Sequence, residues 1–486
     1  MIERDPQRAA SRSYDLIVVG GGIMGASVLL EAARRGLRCL LLERDDFGGA
    51  TSWNSLRILH GGLRYLQTAD LGRFCESARE RRWFCQYFPD LVRPLPCLMP
   101  LYGKGLKRLT TFGIALATND WLSRHRNVGI HSDLCLPNGR VLSVAETIDE
   151  FALVDRQGLQ GGGLWYDVVM ISPQRILMEI IRWACALGGS ACNYVEVMSL
   201  LVDAAKVVGV NARDRISWRG HEFHGDAVIN CTGPWCRSLV QPRDGNRDKL
   251  FQPSLAFNLL LNREPVSEAG LAIQSRCPAS PVYFLLPLRN RILAGTAHRP
   301  WTEDVSYSQP SGGDLDAFIA DLNSAVRDLR LTRGDILRVY SGLIPATKRG
   351  STRLAKRPVI CVHSQHGGPR GFVSVCGIKY TTARLVAERA LQAIYGKRCY
   401  GTDGERPQTE NRIRLEDADG MLSVDDALLA EELKRLVKQE AVVYVDDLLF
   451  RRTGWCDDPK TEQRVRGRIA RHLQLDGGHR IDSDSR

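Results

Sequence analysis

Three glycines near the start of the chain have the spacing that suits the binding of a dinucleotide. Gly20, Gly22 and Gly25 follow the apolar run Leu16–Val19 and open a helical stretch over residues 23–35. In this G-x-G-x-x-G pattern the first glycine allows a tight turn and the second lets the backbone approach a pyrophosphate. The third lets the helix pack closely against the strand, and the first helical turn presents its N–H groups to the phosphates.

An acidic residue follows where this pattern expects one. The apolar residues 37–42 indicate a second buried strand, and Glu43 closes it. A carboxylate there accepts hydrogen bonds from a ribose hydroxyl and disfavours a 2′-phosphate, which argues against NADP but does not separate NAD from FAD. The residues predicted to hold the dinucleotide from this unit are Gly20, Gly22, Ile23, Met24, Gly25, Glu43 and Arg44.

Length and composition restrict the class of protein. A chain of 486 residues, with 44% hydrophobic and 25% charged residues, is typical of a globular protein with two or three domains. It contains no run of 18 apolar residues, and its first thirteen residues have no apolar signal core. We therefore expect a cytoplasmic protein, with a peripheral position on the inner membrane left open.

Cysteine spacing and net charge restrict the metals, ligands and surfaces that the protein is expected to bind. The fourteen cysteines include no C-x-x-C pair, which predicts no metal site and a reduced, intracellular set of thiols. The net charge of +11 suits an anionic substrate or an anionic membrane surface. Nucleic acid is not expected, because the arginines are dispersed and no nucleic-acid motif accompanies them. The sequence contains two basic clusters, Lys104, Lys107 and Arg108 in one, and Arg464, Arg466, Arg468 and Arg471 in the other. Each could contact a membrane surface, although exposure to solvent is the default expectation.

Several later segments resemble one family. Ala50-Thr51-Ser52, Ser55, Arg57 and the run His60-Gly-Gly-Leu-Arg-Tyr-Leu66 closely resemble the flavin-contacting segment of FAD-dependent glycerol-3-phosphate dehydrogenases, which belong to the D-amino-acid-oxidase-like flavoproteins. Three further blocks match in order: Thr232-Gly-Pro-Trp235, residues 371–384, and the C-terminal residues 446–453. The resemblance thus covers nearly the whole chain.

The resemblance implies FAD as cofactor and oxidation of sn-glycerol 3-phosphate to dihydroxyacetone phosphate, with a hydride passing from C2 to flavin N5. It implies substrate-side roles for Arg64, Tyr65 and Lys379, while His60 is either a catalytic group near the flavin or a structural residue between glycines. The further FAD contacts that it implies are Thr51, Ser52, Ser55, Arg57, Ile58, His60, Val195, Thr232, Gly233, Trp235, Gly377, Lys379, Tyr380 and Thr381.

The substrate half departs from the family pattern at four positions. Ile344 stands where the family has an arginine expected to contact phosphate, and Asn258 replaces a histidine. His298 replaces an acid, and Ile378 replaces a glycine. An aliphatic chain cannot replace a bidentate phosphate contact, so a related flavoenzyme acting on another hydroxy acid, polyol or amine remains an alternative. Less favoured alternatives are a membrane component that uses FAD structurally or as a relay, and an NAD-binding regulator.

The resulting prediction is an α/β protein with a Rossmann-like FAD-binding domain, an antiparallel-sheet substrate domain and a small C-terminal helical cap. The expected partners are a phosphorylated polyol as substrate, a quinone or other electron acceptor, and a second copy in a homodimer. The predicted boundaries are 1–75, 161–240 and 336–400 for the FAD-binding domain, 76–160 and 241–335 for substrate elements, 401–420 for a linker and 421–486 for the cap.

Overall fold

Three β-sheets organise the chain, and the computed structural model describes residues 1–103, 105, 108–240, 245, 250–275, 281–306, 308–396, 406, 425–455 and 457–474. The strands are β1 (Ser13–Tyr14), β2 (Leu16–Val19), β3 (Cys39–Leu42), β4 (Ile58–Leu59), β5 (Val92–Leu101), β6 (Arg140–Leu142), β7 (Gly161–Met170), β8 (Ser190–Cys192), β9 (Val195–Asp203), β10 (Lys206–Asp214), β11 (Gly220–Gly225), β12 (Val228–Asn230), β13 (Pro253–Leu261), β14 (Gly270–Gln274), β15 (Val282–Leu288), β16 (Arg291–Pro300), β17 (Ile336–Pro345), β18 (Val359–Val362) and β19 (Phe372–Cys376). The helices are α1 (Pro6–Ala10), α2 (Ile23–Ala33), α3 (Leu63–Leu66), α4 (Leu71–Tyr87), α5 (Leu109–Leu122), α6 (Val144–Glu150), α7 (Pro173–Ala186), α8 (Gly312–Ala325), α9 (Ala383–Tyr395), α10 (Asp426–Gln439), α11 (Val445–Asp447) and α12 (Pro459–Gln474).

A six-stranded sheet carries the glycine motif. Its strand order is β18-β19-β12-β2-β3-β8, and the strands pair in parallel except for β18. All residues of β2 and β3 are buried, which confirms the two predicted core strands. Because β2, β3, β12 and β19 run in parallel, their carboxyl ends meet at one edge, which is where ligands of such sheets bind. The cofactor-binding part of the prediction is therefore confirmed as a Rossmann-like unit.

A nine-stranded sheet forms the second layer. Its order is β17-β13-β16-β15-β14-β5-β7-β4 with β6 beside β7, and the strands pair in an antiparallel manner except for β14 with β5. The predicted antiparallel substrate sheet is present, but β7 and β17 belong to it rather than to the FAD-binding domain. In the sequence, the glycine-rich residues 158–163 are typical of a joint, yet Gly161–Gly163 continue β7 because the missing side chains make room for Phe112 and Leu98.

The C-terminal domain, residues 425–455 and 457–474, is helical. Leu429, Leu433, Trp455 and Ile469 are fully buried at its centre, so α10 and α12 enclose a core of their own. The predicted helix over residues 423–440 is observed as α10. The predicted linker lies outside the described residues, apart from Arg406.

Of the two predicted basic clusters, the structure describes Arg108 of the first and all four arginines of the second, and two of those four form ion pairs. Lys104 and Lys107 lie outside the described part of the chain, while Arg108 is the N-cap residue of α5. Arg466 pairs with Asp446 at 2.7 Å, and Arg468 pairs with Asp426 at 2.5 Å. Within the described ranges, no helix has both the length and the apolar composition needed to cross a bilayer.

Candidate active site

A cavity of about 1230 Å³ opens between the carboxyl edge of the six-stranded sheet and one face of the nine-stranded sheet. It exceeds the roughly 300–1,000 Å³ usual for a small-molecule site, so it has room for a large cofactor together with a substrate. The predicted residues that line it are Gly20, Gly22, Ile23, Met24, Glu43, Arg44, Thr51, Ser52, Ser55, His60, Val195, Thr232, Gly233, Trp235, Gly377, Lys379 and Tyr380.

The glycine motif leaves bare backbone at the cavity wall. Gly20 has φ +101°, and a Cβ there would lie 2.7 Å from the carbonyl oxygen of Cys231. Helix α2 begins at the cavity, where the Ile23 N–H donates to Ser52 Oγ at 2.9 Å. A Cβ on Gly22 would come within 3.1 Å of the same Ser52 oxygen. The N-terminus of α2 and the loop carrying Ser52 therefore form a narrow cradle suited to a pyrophosphate.

Glu43 ends β3 beside this cradle. Its carboxylate accepts hydrogen bonds from the backbone N–H groups of Gly21, at 2.5 Å, and Asp45, at 2.9 Å. Burial raises the pKa of Glu43, and the two N–H donors partly counter that rise. The Val195 N–H donates to the Glu43 carbonyl oxygen at 2.7 Å, which places Val195 next to the residue expected at the ribose. The Arg44 guanidinium stacks over the Trp235 ring at 4.4 Å on the same wall.

His60 is oriented by a buried carboxylate. His60 Nδ1 lies 3.2 Å from Asp167 Oδ2, and the Gly61 N–H donates to Asp167 Oδ1 at 2.6 Å. The Arg81 guanidinium donates to that oxygen at 2.8 Å, and Trp165 Nε1 donates to Oδ2 at 3.3 Å. Burial alone would raise the pKa of Asp167, but His60 and Arg81 outweigh it and hold the pKa well below its usual range. Asp167 is therefore a carboxylate that fixes the Nδ1 side of a histidine whose ring lines the cavity.

Lys379 and Tyr65 meet at the cavity rim. The Lys379 ammonium donates to the Tyr65 hydroxyl and lies 4.4 Å from the centre of its ring. Lys379 lines the cavity, whereas Tyr65 sits behind it on α3. Arg64, on the same short helix, is exposed and close enough to His298 to lower the pKa of that histidine. The fold thus places Lys379 on the cavity wall and Arg64 outside the wall, close to His298.

Three of the four positions that depart from the family pattern lie on the substrate sheet, and none of them carries a formal charge. Ile344, Asn258 and His298 all line the cavity. Burial, reinforced by Arg64 and Arg299, lowers the pKa of His298 to about 4, so this histidine is neutral at pH 7.

Both polar atoms of the Asn258 side chain make hydrogen bonds within the protein. Its Nδ2 donates to the Asn54 carbonyl oxygen at 3.0 Å, and its Oδ1 accepts the Thr296 hydroxyl at 2.9 Å. Asn258 thus joins the substrate sheet to the loop that carries Ser52 and Ser55.

Six predicted site residues, all in the described part of the chain, do not line the cavity: Gly25, Arg57, Ile58, Arg64, Tyr65 and Thr381. The Arg57 guanidinium is buried and donates to both Asp457 oxygens, at 3.1 and 2.5 Å. Ile58 is buried in β4, and Thr381 is buried before α9. Gly25 acts as predicted in packing, since a Cβ there would lie 1.8 Å from the Gly20 carbonyl oxygen.

The prediction did not include two groups that the structure places at the site. Asp167 is not among the predicted site residues, and its contact with His60 spans 107 residues of sequence. The segment from Tyr444 to Arg451 also lines the cavity, through Tyr444, Asp446, Asp447, Phe450 and Arg451. Neither contact leaves a local signal, although the family-like run 446–453 could have drawn attention to the second.

These features fit a flavin dinucleotide. The bare glycine cradle and the helix N-terminus suit a pyrophosphate, the acid after β3 suits a ribose, and the volume exceeds that of an ordinary small-ligand site. The family model for FAD dependent oxidoreductases (DAO) matches residues 15–393. The chain therefore belongs to the FAD dependent oxidoreductase family, and it is a FAD-dependent oxidoreductase.

Within that family its curated relatives are glycerol-3-phosphate dehydrogenases. The chain is 30% identical over 403 residues to the glycerol-3-phosphate dehydrogenase of Synechocystis, covering 79% of this chain and 70% of the relative. It is 27% identical over 398 residues to the aerobic glycerol-3-phosphate dehydrogenase of Bacillus subtilis, with 81% and 69% covered. The solved structure of the Bacillus halodurans glycerol-3-phosphate dehydrogenase complexed with FAD has the same fold, with a TM-score of 0.69, 22% identity, and 97% and 92% covered.

Proposed function

We propose that this protein oxidises the secondary alcohol of sn-glycerol 3-phosphate to dihydroxyacetone phosphate and passes the electrons to a quinone or another acceptor. The observation that supports this most directly is Lys379, a cation on the cavity wall beside residues suited to FAD, with the exposed Arg64 close to His298 of the same wall. When bound, FAD supplies the oxidising group, which takes a hydride at N5. Lys379 and Arg64 attract the anionic substrate, and Lys379 stabilises negative charge on the alcohol oxygen.

His60 is the residue best placed to take the hydroxyl proton. Because Asp167 binds the Nδ1 side, the proton of a neutral imidazole is held there, which leaves Nε2 as an acceptor. The His60 side chain is 41% exposed and lines the cavity, whereas Asp167 is buried. A histidine oriented by a buried carboxylate in this way is the arrangement that general-base catalysis requires.

Asp167→Asn is expected to lower kcat/KM by about a hundredfold or more, because an amide no longer fixes the Nδ1–H tautomer of His60. The acidic limb of the pH profile of kcat/KM should shift in the variant, because that limb reports the pKa of the base. Steady-state rates over a pH series measure both effects.

Asp133→Asn is the matched control for that variant, because it removes a carboxylate 3.6 Å from a surface histidine, His131. It should leave the rate and the pH profile unchanged. An unaltered pH profile in Asp167→Asn would remove His60 from the role of base.

Ile344 favours a second candidate function. Its aliphatic side chain lines the cavity where the resemblance implies a phosphate-binding arginine, and the neighbouring His298 is neutral. A flavoenzyme of this group acting on another hydroxy acid, polyol or amine would need no arginine there. The two functions differ in one measurable property, the affinity for the phosphate of the substrate.

Ile344→Arg tests both candidates. The holoprotein is given sn-glycerol 3-phosphate and an artificial electron acceptor, and dihydroxyacetone phosphate is measured. If the phosphate lies against β17, the variant lowers KM by about tenfold or more, since a charge-assisted hydrogen bond contributes roughly 1.5–3 kcal/mol. Ile344→Met, of similar size and no charge, should match the unmodified protein.

Formation of dihydroxyacetone phosphate by the unmodified protein supports the first candidate. No product from sn-glycerol 3-phosphate, together with turnover of another hydroxy acid, polyol or amine, would replace it with the second.

A further inference from the structure

The C-terminal domain reaches into the same cavity as the glycine motif. Five of its side chains line the cavity wall: Tyr444, Asp446, Asp447, Phe450 and Arg451. They stand more than four hundred residues after the glycines in sequence. Residues that follow β3, among them Asp45, Asp46 and Gly49, complete the same part of the wall.

This part of the cavity is the end where the adenosine half of a dinucleotide is expected, because it lies beside Glu43 and Val195. Tyr194 lines it and immediately precedes Val195, whose N–H is bonded to the carbonyl oxygen of Glu43. The Tyr194 hydroxyl donates to Asp447 Oδ1 at 2.5 Å. The Tyr194 ring packs edge-on against Tyr444, with ring centres 5.1 Å apart. The segment from Tyr444 to Asp447 of the C-terminal domain therefore lies directly over the strand ends where the ribose and adenine are expected.

Buried ion pairs fix the domain in this position. Arg452 donates to both oxygens of Asp46, at 2.6 and 2.9 Å, and Arg175 donates to both oxygens of Glu440, at 2.8 and 2.9 Å. Arg452 and Glu440 have no exposed side-chain surface. Separating a buried pair leaves an uncompensated charge, which is strongly unfavourable. The domain is thus held in one docked position.

The Arg452 to Asp46 pair is coupled to the cavity wall. Asn193 Nδ2 donates to Asp46 Oδ1 at 2.8 Å and to the Ala441 carbonyl oxygen at 2.9 Å. Asn193 precedes Tyr194, so one short chain of hydrogen bonds connects the C-terminal domain, the residues after β3 and the adenosine end of the cavity. Movement of the C-terminal domain away from the adenosine end of the cavity would break these hydrogen bonds.

We infer that the C-terminal domain forms one wall of the FAD site over the adenosine half of the cofactor, and that its docking controls how long FAD stays bound. The inference rests on the cofactor of the family and not on the proposed substrate. Loss of glycerol 3-phosphate turnover would therefore leave it intact.

Two variants test the wall without removing a buried charge. Tyr444→Ala takes away a half-buried ring at the cavity, and Tyr194→Phe removes only the hydroxyl that binds Asp447. The purified holoprotein is diluted, and the rise in fluorescence of free FAD gives the rate of release. Tyr194→Phe should release FAD up to about tenfold faster, the size expected for a lost hydrogen bond. Tyr444→Ala should also release FAD faster than the unmodified protein, because it removes part of the wall. The absorption spectrum of the bound flavin should stay unchanged, because the flavin ring would lie beside His60 and Lys379, which neither variant alters.

Asp426→Asn is the control, since it breaks an exposed ion pair of the same domain, with Arg468, away from the cavity. It should release FAD at the unmodified rate. Equal release from the control and the two variants would mean that general loosening of the domain is responsible, which would overturn the inference. Unchanged release in both variants, or an altered spectrum of bound flavin, would overturn it as well. Thermal unfolding of all four proteins identifies any variant that is misfolded, and the remaining variant then decides.

Discussion

Replacing Lys379 with alanine is expected to leave FAD bound and to slow reduction of the flavin by substrate about 10²- to 10³-fold, the usual effect of removing one preorganised group that stabilises developing charge. Lys379 lines the cavity and its ammonium is held by the Tyr65 hydroxyl, so it is a positioned cation rather than a mobile surface lysine. Stopped-flow absorbance under anaerobic conditions measures the rate.

Two further variants define the role of Lys379. Lys379→Arg keeps the charge and should recover part of the rate, although a guanidinium differs in shape from an ammonium. Lys438→Ala removes an exposed lysine from α10 and should have no effect. Reduction of Lys379→Ala at the unmodified rate would exclude this residue from the mechanism.

The second large effect is expected from Gly22→Val, which should yield a folded protein without FAD. A Cβ on Gly22 already comes within 3.1 Å of Ser52 Oγ, and the two valine methyl groups would fill the cradle before α2. Because that cradle must admit a pyrophosphate against the backbone, the loss of affinity should exceed about a hundredfold. The flavin content of the purified protein and FAD titration measure it.

Gly220→Val is the matched control for the glycine substitution. Gly220 begins β11, and nothing lies within 4 Å of an added Cβ there. The control should keep a full complement of FAD. A yellow Gly22→Val protein with normal FAD content would refute the placement of the pyrophosphate at this turn.

The cofactor half of the molecule was predictable because its signals are local. The glycine spacing, the two apolar strands and the closing Glu43 fall within about thirty residues, and each has a direct physical meaning. The structure confirms these elements, and the neighbouring parallel strands β12 and β19 bring Thr232 and Gly377 to the same edge.

The substrate half was less predictable because its wall is assembled from distant strands. Asn258, His298 and Ile344 lie on β13, β16 and β17, and only the pairing of these strands shows that they share one cavity. The pairing of Arg57 with Asp457 spans 400 residues, so no local pattern could show that the Arg57 guanidinium binds the C-terminal domain. The glycines at the start of β7 were not predicted as part of a strand for a related reason, since side chains that pack against them come from α5 and β5.

The most direct test of the proposed function is the anaerobic absorbance of the purified holoprotein near the oxidised flavin band, before and after addition of sn-glycerol 3-phosphate. Rapid bleaching, with one dihydroxyacetone phosphate formed per flavin, is the predicted result, and it would show that the site accepts the phosphate without an arginine at position 344. A protein that stays yellow with this substrate, yet bleaches with another hydroxy acid, polyol or amine, would contradict the proposed substrate.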